Sequence, residues 1–311
     1  MVSRPPAGQP RRHHHRQPGG RPIRSLKEAA PGGAAGDLPD TPELAARRGR
    51  PGASRGASGF PQLRLLTLIE TGTHALWALA MGRYDASEAR LAPELPQQLR
   101  PRMLCLADRA FVGLALWREA AASGADLLWR VRANQILPCR QRLADGSYLS
   151  RLSASPKDRR PEAGGLVVRV IDHRLESLPR ARAGGLPDAA PMYRLVTTRL
   201  EPGMAPAAEL AALYHERWES EGVLAELKVT LPGPRLLLRS RLAELVEQEL
   251  HGLVLVHLAL RRLMVDASRA AGCDPDTLSF LHTVRVVRRH LPFHAAFSPS
   301  PAPPDDGPPP P

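Results

Sequence analysis

Short apolar runs separated by polar turns occupy the middle of the chain and predict an α/β core. Residues 62–70 and 75–82 are two such runs, and the Thr-Gly-Thr-His turn between them indicates a pair of strands. A buried strand over 103–107, a helix over 113–123 and a strand over 126–131 follow. A strand–helix–strand order predicts two parallel strands joined by a crossover helix.

The second half of the chain has two different patterns. Residues 136–200 contain glycine pairs, prolines and short alternating runs, which are typical of antiparallel strands. From residue 205 the apolar spacing is helical through Leu231, where Pro232-Gly233-Pro234 ends it. Another long helical pattern covers 239–265. A β-rich segment is therefore expected between the α/β part and two long helices.

Both ends of the chain lack a hydrophobic period. Residues 1–36 contain seven basic residues, one acidic residue, six prolines and six glycines, which predicts disorder. Eight of the fourteen residues in 298–311 are proline, which favours an extended tail. We therefore divide the chain into a disordered basic segment 1–36, a first core part 37–135, a β-rich segment 136–200, a helical second core part 201–297 and a disordered Pro-rich tail 298–311.

Composition narrows the classes of function. The chain has 43 Lys and Arg against 31 Asp and Glu, a formal net charge of +12, and all but three of the basic residues are arginine. GC-rich bacterial coding explains part of the arginine content, but the surplus favours a polyanionic partner, nucleic acid first. The absence of a long apolar run predicts no membrane span. Three distant cysteines fit neither a disulfide framework nor a zinc site, so we expect a cytoplasmic protein.

Four polar residues of the predicted helix share one stripe. On an ideal helix, Tyr214, Arg217, Glu221 and Lys228 fall within an arc of about 60° beside the leucine face. Such a stripe at the border of the core indicates the wall of a cleft. The alternative is a solvent-exposed helix face on which Arg217 and Glu221 form an i,i+4 pair.

Asp108 follows the strand predicted over 103–107. The carboxyl ends of parallel strands are where open α/β sheets hold ligands, although an Asp in this place can also cap the next helix. If the later helix brings Glu221 to Asp108, the two carboxylates require a cation to remain ionised together. Mg²⁺ is the natural candidate.

These motifs together resemble a known family. The spacing Tyr214-x-x-Arg217-x-x-x-Glu221-x-x-x-x-x-x-Lys228 is similar to the Y-R-E-K signature of the insertion-sequence-four branch of bacterial DDE transposases. Residues 104–111 (LCLADRAF) are similar to the second-aspartate strand of that family. The resemblance covers residues 37–290 and implies a ribonuclease H-like core with a β-rich insertion before the glutamate helix.

The resemblance also implies roles for these residues. Asp108 and Glu221 would be catalytic and metal-binding, with Mg²⁺, or Mn²⁺ as a substitute, assisting phosphodiester cleavage and strand transfer. Tyr214, Arg217 and Lys228 would contact DNA. The implied partner is double-stranded DNA at the terminal inverted repeats of the element. The implied assembly is a homodimer on that DNA, in the bacterial cytoplasm and associated with the nucleoid.

The sequence departs from the family at its first catalytic aspartate. Alignment on residues 39–42 puts Gly32 at that position, and neither an apolar strand nor the family's preceding helical region is recognisable. We therefore expect an N-terminally truncated transposase with impaired cleavage. The alternatives are a non-catalytic DNA-binding regulator, a nuclease that recruits Asp37 or Asp40, and a basic protein without enzymatic activity. The abrupt start of the resemblance at Asp37 also suggests that residues 1–36 are read from a shifted frame.

Overall fold

The structure is a computed structural model with a mixed α/β fold. It describes residues 24–28, 38–53, 56–57, 59–132, 134–153, 165–174, 192–231 and 238–291, without the side chains of 24–28, 52–53, 56–57, 174, 218–221 and 228. The strands are β1 (Arg24–Glu28), β2 (Gly52–Ala53), β3 (Gly56–Ala57), β4 (Leu63–Glu70), β5 (Ala75–Arg83), β6 (Leu104–Ala107), β7 (Asp126–Val131), β8 (Gln141–Arg142), β9 (Tyr148–Leu152), β10 (Leu166–Arg174) and β11 (Met192–Thr197). The helices are α1 (Pro42–Arg48), α2 (Glu88–Leu91), α3 (Leu114–Ala122), α4 (Ala207–His215), α5 (Glu219–Ala225), α6 (Ala243–Ala271) and α7 (Phe280–His290).

One large sheet organises the described part of the chain. Its strand order is β5-β4-β1-β6-β7-β11-β10-β9-β8, and β2 and β3 form a separate small ribbon. The predicted hairpin is confirmed by the antiparallel pairing of β4 with β5. The predicted crossover is confirmed by the parallel pairing of β6 with β7, with α3 between them in the chain.

Helices cover both faces of this sheet. Leu66, Cys105 and Trp129 pack with the α3 side chain Trp117 on one face. On the other face Leu106 packs with α4, Leu63 and Leu65 pack with α1 and α6, and Ile69 and Leu76 pack with α5, α6 and α7. Because side chains alternate along a strand, the residue after Ala107 returns to the face of Leu106 and α4. Asp108 is that residue.

The strands within the segment 136–200 are antiparallel, as predicted, and extend the same sheet. β11 pairs with β7, β10 with β11, β9 with β10 and β8 with β9. A buried arginine joins these strands to the start of α4. Arg169, which is fully buried, donates to Ser147 Oγ at 2.8 Å and to the carbonyl of Ala205 at 2.7 Å, and forms an ion pair with Asp145. Asp145 also accepts a hydrogen bond from the Ala207 amide at 2.9 Å, at the first residue of α4.

The prediction of a strandless, disordered segment over residues 1–36 is wrong for Arg24–Glu28. These residues form β1, which pairs antiparallel with β4 and parallel with β6 in the middle of the sheet. The physical reason is that β4 and β6 each present, on the edge that faces β1, backbone N–H and C=O groups that require hydrogen-bond partners. A polar strand can supply those backbone bonds without a hydrophobic period. The rest of residues 1–36 and the tail 298–311 lie outside the described residues.

The helical stretch after residue 205 is less regular than predicted. A 3₁₀ turn over Glu216–Trp218 separates α4 from α5, and a π-helical segment covers Glu226–Thr230. A 3₁₀ turn rotates the chain by about 20° more per residue than an α-helix, so an ideal helical wheel misplaces residues beyond it. The next helix, α6, runs from Ala243 to Ala271 and ends at Gly272, which has a φ of 65°. Within the described residues, no helix has the length and apolar character needed to cross a membrane.

Candidate functional site

Asp108 lies at the carboxyl end of β6, as the sequence predicts. Its side chain accepts a hydrogen bond from the Arg109 amide at 2.6 Å and caps the short 3₁₀ helix Arg109–Phe111. The capping alternative is therefore correct, but it does not account for the whole environment. About 30 % of the side chain is exposed, so the carboxylate is also accessible to solvent.

Two arginines approach the Asp108 carboxylate from different elements. Arg217 Nη2 lies 3.8 Å from Asp108 Oδ2, and Arg130 Nη1 lies 4.0 Å from Asp108 Oδ1. Arg217 comes from the 3₁₀ turn after α4 and is only 3 % exposed, whereas Arg130 comes from β7 and is 22 % exposed. Arg130 also stacks on Tyr193, with its guanidinium carbon 3.9 Å from the ring centroid. The carboxylate therefore sits between two guanidinium charges.

Tyr214 is buried beneath this group instead of lining an open surface. Its hydroxyl donates to the carbonyl of Ala107 at 3.3 Å, at the residue before Asp108. The Arg217 guanidinium carbon lies 5.5 Å from the Tyr214 ring centroid, within the range of a cation–π contact. Burial raises the pKa of the Tyr214 phenol well above its usual value, so the group stays protonated and can donate. Tyr214 thus ties α4 to the end of β6.

A narrow cleft adjoins these groups. Its lining comes from β7, β10, β11 and the helical stretch, and consists of Arg130, His173, Tyr193, Leu195, Ala211, Tyr214, His215 and Arg217. The ring centroids of His173 and His215 are 6.0 Å apart. The pKa of His215 is lowered, mainly because the ring is partly buried and to a smaller extent because His173 is close by. Sequence reasoning missed Arg130, Tyr193 and this histidine pair. Arg130, His173 and Tyr193 belong to strands that pair only in the folded sheet, and His215 is the last residue of α4.

The remaining two signature residues are placed by their backbone. Glu221 lies within α5, one helical turn after Arg217, and Lys228 lies in the π-helical segment. Their side chains lie outside the part that the structure describes. The prediction that the Glu221 and Asp108 carboxylates face each other therefore stays a prediction.

The described residues do not complete a divalent metal site. Among them, no cluster of three or more histidine, cysteine, aspartate or glutamate side chains could hold a metal ion. Asp108 is compensated by Arg130 and Arg217, which provide positive charge where a cation would otherwise be required. Along the neighbouring strand, Leu26 pairs with Ala107, so the residue that follows beside Asp108 is Lys27. A lysine cannot replace a carboxylate ligand.

Comparison with known proteins identifies the family. The Transposase DDE domain family matches residues 13–259 of the chain. Over 256 residues the chain is 30 % identical to the Transposase InsG for insertion sequence element IS4 of Escherichia coli (strain K12), which covers 81 % of this chain and 56 % of that protein. The chain therefore belongs to the DDE transposases, of the insertion-sequence-four type, and the resemblance drawn from the Y-R-E-K spacing is confirmed.

Two features of the match bear on the earlier predictions. The matched region begins at residue 13, so the prediction that the family resemblance starts at Asp37 is wrong, and β1 lies inside the match. This weighs against a shifted reading frame for the residues that form β1. The chain spans about half (56 %) of the length of the curated relative. Membership implies the use of a divalent metal ion, because DDE domains work with one.

Proposed function

We propose that the chain binds double-stranded DNA at the terminal inverted repeats of a bacterial insertion sequence, as a homodimer, with impaired strand cleavage and transfer. One observation carries the impairment. Asp108 has two arginines as neighbours, and Lys27, the residue after the Leu26–Ala107 pair on the adjacent strand, is not a carboxylate. Sequence alignment independently puts Gly32 at the position of the first aspartate. Both observations support a metal site that lacks its first carboxylate.

The architecture supports a ribonuclease H-like core with a β-rich insertion. The strands β5-β4-β1-β6-β7 form one block, in which β4 runs antiparallel to β1 and β5 while β6 and β7 run parallel to β1. The antiparallel strands β8 to β11 lie in the chain between this block and α4. That order agrees with the domain division 37–135, 136–200 and 201–297, with β1 added to the first part.

The signature residues divide into two roles. Tyr214 and Arg217 are buried and hold the carboxyl end of β6 in place. The Tyr214 hydroxyl donates to the Ala107 carbonyl, and the Arg217 guanidinium lies near the Asp108 carboxylate. Arg130, on the exposed rim of the cleft, and Lys228, further along the helical stretch, are the candidates for phosphate contacts. Asp108 and Glu221 are the candidates for Mg²⁺, or Mn²⁺ as a substitute. No cleavage step follows from the residues described.

The alternative of a recruited aspartate has no support from Asp40. That residue precedes α1, is exposed, and forms an ion pair with Arg50. Asp37 lies outside the described residues. A non-catalytic DNA-binding regulator is the second function that the site favours, because it uses the same basic cleft without a complete metal site.

An assay that measures DNA binding and DNA cleavage on the same duplex tests this proposal, because we expect the first without the second. The purified chain is mixed with a fluorescent duplex that carries the inverted repeats of its own element, over a salt series and with Mg²⁺ or Mn²⁺. We expect the logarithm of the association constant to fall steeply and linearly with the logarithm of the salt concentration, because arginine–phosphate contacts release counterions. Nicking and strand transfer should be weak or absent with either metal.

Three outcomes would count against this proposal. Affinity that does not change with salt would remove the DNA-binding part. Robust metal-dependent cleavage that is lost in Asp108→Asn would show an intact catalytic site and remove the impairment. Robust cleavage that is lost in Asp37→Ala would instead support the recruited-aspartate alternative.

A further inference from the structure

Helix α7 carries a basic face that the site described above does not include. Its sequence, Phe280–His290, contains three arginines and two histidines and no acidic residue. With 100° per residue, His282, Arg285 and Arg289 fall within an arc of about 60°. All three are exposed, whereas Phe280 and Val284 on the opposite side are buried against α5 and α6. The face is therefore turned outward by the packing of the helix.

The arginines of this face have no acidic partner among the residues that the structure describes. Within the described residues, Arg285 and Arg289 form no ion pair. Together with His282 and Arg288 they line an open hollow of about 430 Å³. The contrast with α6 is direct, because its exposed Arg262 and Arg269 both contact Asp266, at 2.8 and 3.6 Å. Within the described part of the chain, Asp266 therefore compensates the two α6 arginines, whereas Arg285 and Arg289 have no such partner.

Helix α7 packs on the helical stretch of the site through residues outside its basic face. Arg288 Nη2 donates to the carbonyl of Leu231 at 2.7 Å, immediately after the π-helical segment that contains Lys228. Val284 shares a core cluster with Leu224 and Leu227 of the same stretch. These contacts fix α7 beside the stretch that contains Lys228 and leave its basic face open to a ligand.

We propose that His282, Arg285 and Arg289 of α7 bind the phosphate backbone of duplex DNA and extend the DNA contact beyond the Asp108 cleft. The inference rests on the proposed function, because the ligand is the same DNA. An arginine-rich helix face without acidic residues suits phosphates and provides no base-edge selectivity. The contact would therefore contribute affinity for any duplex sequence.

The test compares two double variants that each remove two exposed arginines from one helix. Arg285→Ala with Arg289→Ala removes the α7 face, and Arg262→Ala with Arg269→Ala removes the compensated pair on α6. Each variant and the unchanged chain are titrated with a fluorescent duplex oligonucleotide over a salt series. Circular dichroism and thermal melting verify the fold of each, which exposed-to-alanine changes in a helix should preserve.

The slope of the logarithm of the association constant against the logarithm of the salt concentration should be smaller in magnitude by about 1.8 in the α7 variant, since each lost phosphate contact contributes about 0.9. Its affinity near 0.1 M salt should fall on the order of tenfold or more. The α6 variant should stay close to the unchanged chain. An unchanged slope in the α7 variant, or equal weakening in both variants, would overturn the inference while leaving the proposed function standing. Salt-independent or absent binding by the unchanged chain would overturn both.

Discussion

At the scale of single residues, Asp108 shows how a strand end becomes a charged site. Its carboxylate caps the following 3₁₀ helix through the Arg109 amide and faces Arg130 and Arg217 at 4.0 and 3.8 Å. Arg217 is almost fully buried, so the Asp108 carboxylate helps to offset the cost of burying its charge. The carboxylate therefore stabilises the fold of the cleft whatever chemistry takes place there.

This arrangement predicts the effect of Asp108→Asn on stability. The change removes one negative charge beside the buried Arg217, and we expect the free energy of unfolding to fall by about 1–3 kcal/mol in urea denaturation. Asp85→Asn is the matched control, because Asp85 pairs with Arg83 on the surface and its loss should cost less than about 1 kcal/mol. A rise in stability for Asp108→Asn would contradict this, since it would indicate relief of repulsion between crowded carboxylates.

At the scale of elements, a buried charged cluster joins the helical stretch to α6 and α7. Glu226 accepts from His257 Nε2 and Arg261 Nε, both at 3.0 Å. His257 is fully buried and Arg261 is 5 % exposed, and Phe280 of α7 lies 5.1 Å from the Arg261 guanidinium carbon. Burial works against ionisation of Glu226, but the hydrogen bonds from His257 and Arg261 outweigh it and lower the pKa of this carboxyl.

The Glu226 cluster predicts a defined pH dependence. Because the folded-state pKa lies below the ordinary value of 4.5, the ionised carboxylate stabilises the fold above that pH, and the contribution is lost as the pH falls through the lowered pKa. Glu226→Gln should reduce the free energy of unfolding by about 3 kcal/mol at neutral pH, because it leaves Arg261 buried without a counter-charge. The free energy of unfolding of the variant should also fall less on acidification than that of the unchanged chain, because the variant has no carboxyl group at position 226 to protonate.

The measurement is denaturant unfolding at neutral and acidic pH. Glu119→Gln serves as the control, since Glu119 is an exposed residue of α3 and should show neither effect. Equal stability of Glu226→Gln and the unchanged chain at neutral pH would show that the cluster does not hold the helices together.

At the scale of the whole molecule, β1 joins two parts of the sheet. The antiparallel block of β4 and β5 lies on one side of it, and β6 with all the later strands lies on the other. Without β1, the edges of β4 and β6 would both lack backbone partners. The five residues of β1 therefore decide whether the other eight strands of this sheet are joined.

Leu26→Pro tests this role of β1. Proline removes the backbone N–H in the middle of the strand, where Leu26 pairs with Leu68 and Ala107, so we expect a loss of about 3 kcal/mol or more and a lower melting temperature. Leu26→Ala keeps the N–H and should cost less, which separates the backbone contribution from that of the side chain. A melting temperature unaffected by Leu26→Pro would mean that the strand does not complete the sheet.

The sequence by itself determined the features that depend on local pattern. Alternating and helical spacing located β4, β5, β6, α3 and β7, because each buries its own apolar face. The same spacing placed Asp108 at a strand end. The signature from Tyr214 to Lys228 identified the family, which the comparison confirms.

Tertiary structure alone decided the features that depend on a partner distant in the chain. β1 has no apolar period, and it is a strand because β4 and β6 need backbone hydrogen bonds on either side. Arg130 joins Asp108 because β6 and β7 pair in parallel, and Arg169 is buried because distant polar groups satisfy it. A single polar residue has no periodicity, so its burial and its partner are set only when the sheet and helices assemble.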